Sequence, residues 1–100
     1  MAQATSINAL VPELAVTDWR ASLDFYCRLL GFSVAYDRPE EGFAFLAIGS
    51  AQLMIDQIGV GRDVDNAPRE HPFGRGFNLQ VEVPALDPLL DRLHEAGVTL

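Results

Sequence analysis

The run from Ala15 to Phe32, AVTDWRASLDFYCRLLGF, limits the folds open to this chain more than any other stretch. Asp18 is a good N-cap, because its carboxylate accepts the free N–H groups of a first helical turn. Behind it Trp19, Leu23, Tyr26 and Leu30 recur at helical spacing on one face, with Cys27 at its edge. Gly31 supplies the left-handed residue that ends a helix, and Phe32 then folds back on the last turn. An amphipathic helix of three turns lying on a sheet is expected here.

Strands flank it. Leu10 to Val16 reads as a first strand, with Leu10, Pro12, Leu14 and Val16 on one face and Val11, Glu13 and Ala15 on the other. Pro12 cannot donate to a ladder, so this strand should lie at an edge or have its N–H side free. Ser33 to Tyr36 starts a second strand, with 37–42 as the turn after it. Phe43 to Ile48 is the third strand and Gln52 to Ile58 the fourth, joined by a tight turn at Gly49. Residues 1–58 thus read as one βαβββ module.

Residues 59–76 have glycines, prolines and charges without a period, as in a linker or a lid loop. Phe73 and His71 are its candidates for touching a ligand or for pinning the loop to the body. Then the plan restarts over 77–100. Phe77, Leu79, Val81 and Val83 alternate with Asn78, Gln80 and Glu82. Asp87 is placed to cap a helix with Pro88 at its first position, Leu89, Leu90 and Leu93 form its apolar stripe, and Gly97 stops it. This second module is incomplete, a βα start without its remaining strands. A fragment of a longer protein, or a partner chain that supplies the strands, accounts for that.

The charge balance narrows the function. Fourteen acidic against seven basic residues give a net charge of −7, which repels phosphate backbones and argues against nucleic-acid binding. An acidic surface suits a cationic ligand. No apolar run approaches a membrane span, and Met1 to Ala9 lacks the basic start and apolar core of a secretory signal. One cysteine excludes an internal disulfide and suits a cytoplasmic setting. Cys27 is expected as a packing thiol rather than a nucleophile.

The order D…S…FY…LGF behind an apolar strand resembles the signature of the glyoxalase/bleomycin-resistance/dioxygenase superfamily, the vicinal-oxygen-chelate fold. The stretch GRGFNLQVEV followed by AGV resembles it too. Pro12 in the first strand and the run from Gly42 to Asp56 look most like the bleomycin-resistance branch. The resemblance implies an α+β fold of paired βαβββ modules, with sheets curving around a cleft and helices outside. Members that use a metal carry ligands at four strand positions. Here the first falls on Val11 and the third on Asn78, the second on Asp56, and the fourth lies beyond Leu100. His71 and His94 stand in the loop and on the outer helix. The set cannot hold a catalytic ion, so no metal or other cofactor is expected.

Strand parity then selects the residues facing such a cleft. Glu13 comes from the first strand and Phe43 and Phe45 from the third. Gln52, Met54 and Asp56 come from the fourth, with Asn78, Gln80 and Glu82 from the fifth. One slip in register reverses any of these, and Glu13 and Glu82 are equally readable as solvated strand edges. The expected cleft has an aromatic and apolar floor, three carboxylates and no lysine or arginine. Such a cleft suits a cationic or amphipathic small molecule, and the resemblance to the bleomycin-resistance branch implies that the ligand is sequestered without turnover by a homodimer. The alternative is a metal-dependent glyoxalase- or dioxygenase-type enzyme of the same superfamily.

Overall fold

The computed structural model describes residues 6–60 and 76–100, so His71 and Phe73 lie outside the described residues. Asp18 has an extended backbone, and its Oδ1 accepts from the Ala21 amide at 3.1 Å, which opens helix α1 (Trp19–Asp24). The helix does not run on in α form as expected. Over Phe25–Leu29 it widens into a π-helical turn, with the Leu30 amide donating to the Phe25 carbonyl at 3.1 Å. One more residue in the turn lets both Leu29 and Leu30 find apolar partners. Gly31 follows at φ +92°, and Phe32 is buried with its ring edge-on to Tyr26 at 5.7 Å.

Four strands form one curved sheet: β1 (Glu13–Val16), β2 (Ser33–Arg38), β3 (Phe43–Ile48) and β4 (Ala51–Gln57). Their order is β1-β4-β3-β2, with β1 parallel to β4 and the other pairs antiparallel. The crossover from β1 through α1 lays the helix over one face. There Trp19 packs with Phe32, Ala44, Leu46, Ile48, Leu53 and Ile55. Each large aliphatic side chain buried in this way contributes about 1.5–3 kcal/mol.

Pro12 shapes the first edge. The ladder begins at Glu13 rather than Leu10, and Leu10 is exposed instead of facing the helix. Pro12 has no N–H but still accepts from the Met54 amide at 2.8 Å. The second strand runs two residues further than expected, to Arg38, before a 3₁₀ turn at Pro39–Glu41.

Residues 77–83 do not form the expected fifth strand, because they pair with no strand among the described residues. Alternation sets which side chains share a face, but a strand exists only where a ladder partner meets it. Phe77, Leu79 and Val81 are consequently exposed. Helix α2 (Leu86–Glu95) follows, starting one residue before Asp87. Ala85 is the N-cap, and Asp87 lies in the first turn, where its charge complements the helix dipole. Leu89 and Leu93 bury against Leu29, and Arg92 Nε donates to the Leu29 carbonyl at 2.8 Å. The result is a mixed α+β fold, a curved four-stranded sheet with α1 and α2 packed beside it. No described helix is long and apolar enough to cross a membrane.

Candidate ligand-binding face

The sheet face turned away from α1 is organised by register. Residues directly opposite one another share a face, so two rows of side chains cross it. One row is Asp56, Phe43 and Arg38, from β4, β3 and β2. The other is Glu13, Met54, Phe45 and Tyr36, and spans all four strands.

Glu13, Phe43, Phe45, Met54 and Asp56, which strand parity selects, share this face. Glu13, Phe43, Met54 and Asp56 line a cavity of about 360 Å³. Phe45 is buried beside them under Tyr36, with the rings stacked at 5.2 Å and 16°. Gln52 holds the preceding chain through its side-chain amide, which accepts from the Asn8 N–H at 2.7 Å. Asn78, Gln80 and Glu82 are exposed on the extended 77–83 stretch and do not line this cavity.

Tyr36, Arg38 and Glu41 complete the lining, and sequence reasoning missed all three. The cause is a register shift between Val34 and Tyr36. Val34 still pairs with Leu46 on the helix side, whereas Tyr36 pairs with Phe45 on the open side. Unbroken alternation puts Ala35 and Asp37 on the open face; the irregularity puts Tyr36 and Arg38 there instead. The expectation of a cleft without lysine or arginine is therefore corrected by Arg38. Alternating polarity does not reveal such a shift, because SVAYDR carries apolar residues at both parities.

Arg38 sits in a specific setting. Its guanidinium lies 4.3 Å from the Phe43 ring centroid, and its Nε donates to Glu41 Oε1 at 3.3 Å. Both partners of that ion pair are about half exposed, so solvent holds its worth to roughly 0–1 kcal/mol. The cation–π contact adds about 0.5–1 kcal/mol at such a site. Among the described residues the face thus presents three carboxylates, one guanidinium and an aromatic floor. Val11 offers no ligand atom, and no three His, Cys, Asp or Glu side chains gather in metal-binding geometry among the described residues.

Residues 6–100 match the model of the Glyoxalase/Bleomycin resistance protein/Dioxygenase superfamily. The chain belongs to this superfamily. A superfamily member from Vibrio splendidus 12B01, known from its crystal structure, is 35% identical, with 86% of this chain and 66% of that one covered and a TM-score of 0.48. This chain accordingly spans just under two thirds of the length of that relative. An integron cassette protein from the mobile metagenome of Halifax Harbour sewage outfall is 21% identical. It shares the fold at a TM-score of 0.53, over 90% of this chain and 72% of that one. No curated protein matches the chain.

Proposed function

We propose that this superfamily member binds an amphipathic organic cation on the open face of its sheet and holds it without turnover, as the bleomycin-resistance branch does. The supporting observation is the cavity itself, where among the described residues Glu13, Glu41 and Asp56 outnumber Arg38 beside the Phe43 ring. A carboxylate beside apolar walls attracts a cation more strongly than it does in bulk water. Arg38 lying over Phe43 is an internal instance of a planar cation on that ring. Titration calorimetry with a cationic glycopeptide, repeated over a salt series, tests the proposal. Saturable binding that weakens with salt is expected; heats indistinguishable from dilution at every ionic strength count against it.

The proposal includes a homodimer in the cytoplasm, with residues 77–100 as the opening of a second module. The outer edges of β1 and β2 have no ladder partner among the described residues, and a second copy is one source of partners. Sedimentation of the protein at micromolar concentration decides this point, a stable monomer counting against it.

A further inference from the structure

We infer that the ligand is a zwitterion rather than a simple cation, an inference that rests on the binding function proposed above. Its cationic group is held by Asp56 and Glu13, its anionic group is held by Arg38, and its body spans the cavity between them. Among the described residues Glu13 and Asp56 stand towards one side of this face, and the Arg38–Glu41 ion pair stands towards the other. Along the row Asp56–Phe43–Arg38 the carboxylate and the guanidinium stand on β4 and β2, with the aromatic ring between them on β3. Two interstrand steps separate their backbones by about 10 Å. In the neighbouring row Glu13 stands at the β1 end, on the same side as Asp56. The β1–β4 side of the cavity is therefore acidic, and the β2 side carries Arg38 with its ion-pair partner Glu41.

The register shift in β2 is what creates this polarity. Without it Asp37 would stand opposite Phe43, and the open face would carry a carboxylate on that side too. A site for a plain cation gains nothing from exchanging that aspartate for an arginine. A site for a ligand charged at both ends does. Arg38 is also equipped for the task. Its contact with Glu41 runs through Nε, and among the described residues none pairs with its terminal amino groups, which are donors for an incoming carboxylate. Glu41 on the adjoining turn is half exposed, so it can yield its place to a ligand acid at little cost.

The test uses 4-(aminomethyl)cinnamic acid and its methyl ester, which share an ammonium group and a rigid aromatic body but differ in the carboxylate. Affinities are measured by calorimetry on the wild-type protein and on Arg38→Gln. The wild type should prefer the acid about tenfold, the usual scale of one charge-assisted contact. In Arg38→Gln that preference should fall to about twofold or less. Arg38 is half exposed, and an unchanged melting temperature establishes that the variant is folded. Equal or tighter binding of the ester to the wild type overturns the zwitterion and leaves the cation site standing. A preference for the acid that survives Arg38→Gln also overturns it, because the anion is then held elsewhere. Failure of both probes to bind at millimolar concentration removes the cation site and this inference together.

Discussion

Gly42 and Gln57 meet so closely that a Cβ on Gly42 would stand 2.5 Å from the Gln57 Cβ. The contact lies where the turn before β3 passes the end of β4, and the Gln57 amide donates to the Gly42 carbonyl at 2.8 Å. The Gln57 side chain continues the connection. Its Oε1 accepts from the Trp19 amide at 2.7 Å, and its Nε2 donates to the Thr17 carbonyl at 2.9 Å. One glutamine thus ties the end of β4 to the start of α1, and Gly42 leaves room for it.

Gly42→Ala should therefore be strongly destabilising. Gly42 has φ +62°, where an L-residue costs about 1–2 kcal/mol. Forcing a methyl group against Gln57 adds about 1–3 kcal/mol. Urea unfolding should show a lower midpoint with an unchanged slope. A loss below about 0.5 kcal/mol would mean that the turn shifts freely, as at an ordinary surface position.

Arg92→Met should loosen α2 from the π-helical turn. The substitution keeps an unbranched apolar stem but removes the donor to the Leu29 carbonyl. The expected cost is about 1–3 kcal/mol, since a partly buried carbonyl loses its partner. Hydrogen exchange should quicken in α2 and leave β3 and β4 protected; uniform quickening would show that α2 unfolds only with the sheet.

Cys27 should be a slow nucleophile. Burial pushes its thiol pKa up, and the charge of Asp24 pushes it further in the same direction. A raised pKa means less thiolate at neutral pH. Iodoacetamide should therefore label the folded protein more slowly than the urea-unfolded chain at pH 7. The rates should converge only as pH rises through the raised pKa of the folded thiol. Faster labelling of the folded state would contradict the packing role.

Asp56→Asn keeps the side chain's shape and removes its charge. Asp56 already interacts within the chain, so a modest drop in melting temperature is expected. Affinity for a cationic glycopeptide should fall about tenfold, or ~1.4 kcal/mol, and its salt dependence should flatten. If affinity and salt dependence both stay at wild-type values, Asp56 has no part in cation binding.

Much of this protein was written locally. The Asp18 cap, the Gly31 stop and the apolar stripe of α1 depend on neighbours a few residues apart, and each is present as the sequence implied. The same holds for β3, whose limits at Phe43 and Ile48 match, and for the shared face of Glu13, Met54, Asp56, Phe43 and Phe45. Period-two alternation carries that information wherever one face is buried. Tertiary structure alone decided the rest. The irregularity in β2 depends on how Val34 and Tyr36 meet Leu46 and Phe45 across the ladder, and it brought Arg38 onto the open face. Residues 77–83 have the pattern of a strand but pair with no described strand. Pattern belongs to the segment itself; register and pairing belong to two segments at once, and their energies are set only where the chains meet.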